Sequence, residues 1–359
     1  MCRGRAAGGP ATPRLLLLQA LVLSLRPEGC RSLRLQTPNA TQCSFGTFGS
    51  GPLRGVQVIE SPGKIYDFVN FSHGSYNREG LFVYPEAKLA MCIIEKNGCT
   101  TWTTLFNKLT RGILDIQSPW YGVVPFHWSE RSADAVFRQP DSTRIVWVRE
   151  PLERFLSGFL NRCSVKSKEY ERFCIFRKPG QAPGFPISQV KEWLDNPETS
   201  LYYMDTHFSP QAWHCELMKR LPEYNLIGLM TRGGFAHDAA CILERAGLSY
   251  LNTRGPRSGR PFLQEPREGA AAQDAKTVAL LKKFYTKELA MVLMNVFYVD
   301  YEVFHIERPA WVWEATGEWS DRRPASVAAG PATGGGNAGV EDPASIGDLE
   351  RLAAEAGYI

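Results

Sequence analysis

The chain has 359 residues, 44% of them apolar, with a net charge of +4 and a mean hydropathy of −0.24. That is enough apolar surface for one large core or two small ones, and it excludes a wholly disordered chain. The mild positive charge does not demand a nucleic-acid partner, and none is expected, although a local basic face for a small polyanion is compatible with it.

The first thirty residues read as a leader. Arg3, Arg5 and Arg14 precede the short apolar run Leu15 to Leu25. A basic segment before a short apolar stretch is the pattern of a secretory signal peptide. The run is short of the ~20 residues that span a bilayer, so a signal anchor fits less well but stays open. Asn39-Ala40-Thr41 and Asn70-Phe71-Ser72 are glycosylation sequons, in keeping with a lumenal or secreted domain. Without Cys2 the chain keeps eight cysteines, an even number that permits disulfides in an oxidising compartment. Cys163 and Cys174 flank a charged loop and are expected to pair, whereas Cys92 reads as a core residue. There is no C-x-x-C and the six histidines are scattered, so no metal site is expected.

Four domains of sequence follow in order: a leader over 1–29, an irregular or short-stranded stem over 30–85, a folded domain over 86–308, and an Ala/Gly/Pro-rich tail over 309–359 that reads as largely disordered. Within the folded part, Leu89 to Glu95 is a continuous apolar run suited to a strand buried on both faces. Thr101 to Leu109 reads as a helix, and Arg144 to Val148 as a second strand. Pro151 suits the first turn of the next helix, whose apolar face is Leu152, Phe155, Leu156, Phe159 and Leu160. Residues 164–200 read as a charged surface excursion. Tyr224 to Leu229 is a third strand, 235–246 a helix, and Asp274 to Asn295 one long amphipathic helix. Strands alternating with helices predict an α/β fold around a central parallel sheet.

Two strand-to-helix junctions carry the chemistry. The first is Lys96-Asn97-Gly98-Cys99-Thr100-Thr101-Trp102. A loop of small residues opening a helix wraps an anion with main-chain N–H groups, and Gly98 permits close approach. Lys96 adds a cation, and Thr100 and Thr101 add hydroxyl donors. The lysine precedes the glycine, so the segment departs from the G-x-x-x-x-G-K-[ST] loop of ATPases and GTPases. The second junction places Arg149 at a strand end and Ser157 two turns into the next helix, where both can converge on one phosphate. Two anion sites suit a nucleotide with phosphates at both ends.

These segments resemble those of Golgi carbohydrate sulfotransferases, most closely the group with the chondroitin and dermatan 4-O-sulfotransferases and the uronyl 2-O-sulfotransferases. Lys96 to Thr100 resembles that family's K-x-G-[ST/C]-[ST] motif. Val148 to Asn161 resembles V-R-[DE]-P-x-E-R-x-x-S-x-[FY]-x-[ND] nearly throughout. Asp205-Thr206-His207-Phe208-Ser209-Pro210-Gln211 is similar to D-x-H-W-x-P-Q, with Phe208 for the usual Trp. Val299 to Phe304 is similar to a D-Y-x-x-F close. The resemblance implies a P-loop-like sulfotransferase fold and a sulfuryl donor, 3′-phosphoadenosine 5′-phosphosulfate (PAPS), without a metal. It also implies a carbohydrate acceptor and a place in the secretory pathway, in the Golgi lumen or at its membrane through the N-terminal segment.

On that reading Lys96 neutralises the leaving oxygen. The segment from Lys96 through Asn97, Gly98, Cys99, Thr100 and Thr101 to Trp102 holds the 5′ phosphosulfate, and Arg149 with Ser157 holds the 3′ phosphate. His127 and His207 compete as the base for the acceptor hydroxyl, with His127 favoured by position. Glu95 is a third candidate, read mainly as the end of its strand. Two other readings stay open: a fold-retaining secreted glycoprotein without activity, and a different nucleotide-dependent transferase.

Overall fold

Six strands form one mixed sheet: β1 (Gly46–Thr47), β2 (Val56–Val58), β3 (Leu81–Tyr84), β4 (Leu89–Cys92), β5 (Thr143–Val148) and β6 (Leu226–Leu229), in the order β1-β2-β6-β5-β4-β3. The computed structural model describes residues 43–59, 80–111, 135–163, 174–178, 189–195, 205–231, 233–252 and 270–318. The leader, both sequons, His127 and Trp128 lie outside these residues, as do 319–359 of the tail.

The centre of the sheet is parallel, as expected. Leu89 of β4 stands opposite Thr143 of β5, and Ile145 of β5 opposite Leu226 of β6. The flanking pairs β3–β4 and β2–β6 are antiparallel. Alternation along β5 explains why the sheet is covered on both faces. Ile145 and Trp147 point into one core with Trp102, Leu105 and Phe106 of helix α1 (Cys99–Arg111). Val146 and Val148 point into another with Leu152, Phe155 and Leu156 of helix α2 (Pro151–Cys163). The loops that leave the carboxyl ends of β4 and β5 therefore lie side by side, and these are the two junctions singled out in the sequence.

Beyond them come α3 (Gln189–Leu194), α4 (Leu217–Arg220), α5 (Phe235–Arg245), α6 (Ala270–Phe284), α7 (Lys287–Val296) and α8 (Tyr298–Val303). The long helix expected over 274–295 is broken. Thr286 is extended and its hydroxyl accepts from the Leu289 N–H at 3.1 Å, capping α7. Tyr285 is wholly buried at the break and donates its hydroxyl to the Leu152 carbonyl at 2.7 Å. A helical period ran through the break because both helices bury the same side.

Three further differences concern the edges of the domain. The segment expected as stem supplies β1, β2 and β3, so the sheet begins well before residue 86. The packed chain continues past 308, since Trp311 and Val312 of the short helix Ala310–Glu314 are buried against α6 and α7. Part of the 164–200 segment also enters the core. Phe176 is 2% exposed between Phe155 and Phe208, and Gln189 Nε2 donates to its carbonyl at 3.0 Å.

Three disulfides tie these elements together. Cys163–Cys174 pairs as expected, and Cys43–Cys241 joins the start of the sheet to α5. Cys92 is not a plain core thiol. It pairs with Cys215, clamping the end of β4 to the turn before α4. That bond spans 123 residues, the range in which loop closure restricts the unfolded chain strongly. A Cys92→Ala, Cys215→Ala double variant is expected to lose about 2–5 kcal/mol, read as a lower midpoint in guanidinium unfolding.

Candidate active site

The Lys96 loop is held in a conformation that ordinary residues avoid. Lys96 has φ 70° and Gly98 φ 73°, both left-handed. A Cβ on Gly98 would also lie 3.0 Å from Phe235 Cζ, so glycine is required twice over. Asn97 sits between them, 1% exposed, and its Nδ2 donates to the Trp147 carbonyl at 2.9 Å and to Gln211 Oε1 at 2.7 Å. A non-glycine residue kept at positive φ signals that the surroundings over-determine the loop.

The second junction meets the first here. Arg149 Nη1 donates to the Lys96 carbonyl at 3.2 Å, and its Nη2 pairs with Glu153. Gln211 closes the arrangement: its Oε1 accepts from the Arg149 N–H at 2.9 Å and its Nε2 donates to the Arg149 carbonyl at 2.9 Å. Asp300 accepts from the N–H groups of Gln211 at 2.9 Å and Ala212 at 2.8 Å. Burial, partly offset by these donors, raises the Asp300 carboxyl to about 6. One amide thus joins all four motif segments.

Two further residues brace helix α2. Arg154, 1% exposed, donates to the carbonyls of Glu95 at 3.0 Å, Ser209 at 2.7 Å and Thr206 at 2.6 Å. Glu150 accepts from the N–H of Glu153 at 2.7 Å and from the Tyr301 hydroxyl at 2.5 Å; burial lifts it to about 7. Gly158 allows the helix to approach, since a Cβ there would lie 2.9 Å from the His207 carbonyl oxygen.

The expected site residues divide accordingly. Lys96 and Arg149 come together through the Lys96 carbonyl. Thr100 is exposed and Thr101 half-buried at the start of α1, while Ser157 is 2% exposed within α2. The Cys99 thiol is buried, and burial pushes its pKa up, so it stays neutral. Trp102 is wholly buried and stacks on Trp147 with ring centroids 5.9 Å apart; its side chain is core, and its main-chain N–H is donated to the Gly98 carbonyl at 3.1 Å. Asn97 likewise turns its side chain into the protein. His207 donates from Nδ1 to Asp205 at 2.6 Å and accepts at Nε2 from Arg162 at 3.0 Å. Phe208 is wholly buried against Phe155, which explains an aromatic residue there without any ligand role.

The charge balance of the loop is unusual. Burial lowers the Lys96 pKa to about 8, and Arg149, Arg162 and Arg154 add to that shift. Cations crowded around a helix start form a cradle for a compact polyanion. Among the described residues no cluster of metal-ligating side chains occurs.

A lysine loop and an arginine lie at the carboxyl ends of adjacent parallel strands, the end of an open α/β sheet at which ligands bind. Comparison with known proteins narrows the class. The profile of the sulfotransferase family matches residues 79–306. Carbohydrate sulfotransferase chst-1 of Caenorhabditis elegans is 23% identical over 269 residues, which cover 67% of this chain and 77% of that protein. No solved structure matches significantly. The chain belongs to the sulfotransferase family, whose sulfuryl donor is PAPS.

Gln211, Arg154, Glu150 and Asp300 stood in the recognised strings without a role. For Gln211 and Asp300 the sequence signal is a polar residue between apolar or aromatic neighbours; Glu150 and Arg154 stand beside other charged residues and carry no such signal. Gln211→Ala is expected to cost about 2–4 kcal/mol, because it strands buried donors on Asn97 and Arg149. A lower denaturation midpoint with an unchanged m-value checks this, and full stability would show that the amide is dispensable.

Proposed function

We propose that the protein transfers the sulfuryl group of PAPS to a hydroxyl of a carbohydrate acceptor in the secretory pathway. The observation that carries this reading is the hydrogen bond from Arg149 to the Lys96 carbonyl, which makes one cationic cradle from two anion-binding junctions. The relative named as a carbohydrate sulfotransferase and the motif likeness to the chondroitin, dermatan and uronyl group support a sugar acceptor. The disulfides support an oxidising compartment, and the Leu15 to Leu25 run provides either a cleaved leader or a short attachment to the Golgi membrane.

The residues fit the donor. Thr100, Thr101 and the main chain opening α1 hold the 5′ phosphosulfate, and Lys96 faces the charge that grows on the bridging oxygen as the sulfur bond breaks. Arg149 and Ser157 hold the 3′ phosphate, a remote handle on position. Sulfuryl transfer is an in-line displacement with charge on outer oxygens, so catalysis is chiefly positioning and electrostatics. His207, fixed between Asp205 and Arg162, serves at the acceptor side.

Titration calorimetry tests the donor site: with chelator present, 3′,5′-adenosine bisphosphate is expected to bind at least about tenfold more tightly than 5′-AMP, a difference near 1.4 kcal/mol. Equal affinities would reject the 3′-phosphate site. Arg149→Lys keeps the charge but loses the planar fork, and should weaken the bisphosphate about tenfold more than it weakens 5′-AMP.

Lys96 supplies the sharpest test. Its native pKa lies below the ~10.4 of an unfolded lysine, so burying the charge costs stability in full below about pH 8, and the cost fades as pH rises towards 10.4. Lys96→Met should therefore raise Tm by a few degrees while reducing turnover at least about 100-fold. Wild-type kcat/KM should fall as the pH passes about 8, when Lys96 loses its proton. A variant that keeps turnover, or a profile flat across that range, would remove Lys96 from the chemistry.

A further inference from the structure

Arg154, Gly158 and Arg162 stand four residues apart along α2, so they line one face of that helix. The face meets the 205–209 turn. Arg154 holds the carbonyls of Thr206 and Ser209, Gly158 lets the His207 backbone approach, and Arg162 meets the His207 ring. Arg154 is buried and spends its hydrogens on carbonyls, whereas Arg162 is half-buried at the outer end of the face. Arg162 is also close enough to Lys96 to lower that residue's pKa. A cation with access to solvent therefore stands between the donor loop and the 205–209 turn.

His207 fixes where that cation points. Its Nδ1 donates to Asp205 Oδ1 at 2.6 Å, and the same oxygen accepts the His207 main-chain N–H at 2.9 Å. This sets the tautomer and leaves the Nε2 lone pair to accept from Arg162 Nη2 at 3.0 Å. Burial lowers the His207 pKa, so the ring stays neutral. A bond to a neutral ring orients the guanidinium without cancelling its charge, as a carboxylate would. Asp205 and Glu95 are the carboxylates that act on Arg162 from nearby, and Asp205 is itself engaged by His207. The bond also makes His207 a poor base, since a proton on Nε2 would break it and set two cations together. An arginine in the last turn of a helix can simply complement the helix dipole, but that role needs no ring held at both nitrogens.

Lys96 and Arg149 are committed to the donor in the reading above, and Arg154 is enclosed. Arg162 is left to meet the second substrate. We propose that Arg162, aimed by the Asp205–His207 pair, reads an anionic substituent of the acceptor chain, a carboxylate or a sulfate ester; the assignment rests on the sulfotransferase reading above. A guanidinium matches either group with paired N–H donors. Docking that anion beside the donor loop brings a hydroxyl of the same chain to the sulfuryl group, which is catalysis by positioning. Arg162 is then a specificity residue that selects acidic sugar chains over neutral ones, and His207 and Asp205 are its positioning residues.

The test uses the full chain and chondroitin sulfate in three forms: desulfated, which keeps only carboxylates; carboxyl-reduced, which keeps only sulfates; and treated both ways, which is neutral. Transfer of labelled sulfuryl from PAPS gives kcat and KM on each, and bisphosphate titration checks that the donor site survives in each variant. Wild type is expected to favour one acidic form over the neutral form by at least about tenfold in kcat/KM, mostly through KM. The form preferred identifies the group that is read. Arg162→Gln should bring that ratio to about one, and Arg162→Lys, which keeps the charge but not the fork, should fall between. His207→Leu should lower the ratio as Arg162→Gln does, whereas His207→Gln, whose side-chain carbonyl still accepts from a guanidinium, should keep most of it. A ratio that survives in Arg162→Gln overturns the assignment. So does a wild type that binds bisphosphate yet takes the neutral form as well as the acidic ones, or transfers to none of the three. Equal loss on every form in both His207 variants, with the ratio intact, would also overturn it by making the histidine the base. Wild type that binds no bisphosphate would instead fail the sulfotransferase reading itself.

Discussion

The Gln211 side chain is the constraint on which the site depends. Its oxygen takes hydrogens from Asn97 and from the Arg149 main chain, and its nitrogen gives hydrogens to the Arg149 carbonyl and to Asp300. An amide is the only neutral side-chain group that both donates and accepts in this way, and a buried one is worth keeping only if every bond is made. Here the partners come from the β4 loop, the end of β5, the 205–211 turn and α8. Sheet packing brings those segments near one another; the amide sets their register to within a hydrogen bond.

That rigidity allows the site to hold charge that would otherwise force it apart. Lys96 sits at positive φ, partly buried, near three arginines. Each arginine is itself anchored: Arg149 on Glu153 and Lys96, Arg154 on three carbonyls, Arg162 on His207. Arg154 is held by main-chain acceptors alone and Arg149 by a main-chain acceptor and a carboxylate, so both guanidinium groups are fixed in place. A preorganised field of this kind does not have to rearrange when charge develops on a leaving oxygen.

The amino-acid pattern made the parallel centre of the fold legible because β4, β5 and β6 are apolar on both faces and each leads to an amphipathic helix or turn. It gave β1, β2 and β3 no individual bounds within an irregular or short-stranded stem, because they have two to four residues and no period long enough to register. The break at Thr286 was hidden by an apolar stripe that continues through it. Lys96, Gly98 and Arg149 were visible because their roles are local to a strand–helix junction. Arg154, Gln211 and Asp300 were not, since their partners lie 52 to 114 residues away and only the folded chain brings them together.

The disulfide between Cys92 and Cys215 has a functional side that its position makes plain. It joins the last residue of β4, four residues before Lys96, to the turn that carries His214 and follows Gln211. Cys215 and Glu216 both adopt left-handed conformations there, so the turn cannot be a relaxed one. A covalent bond at that point resists the separation of the donor loop from the 205–216 segment and adds to the tie that Arg154 makes between them. Cys99, seven residues further on, stays a thiol because it is buried against the core and raised in pKa, and so is a poor partner for exchange. An oxidising compartment can therefore lock the frame of the site while leaving the donor loop itself chemically untouched.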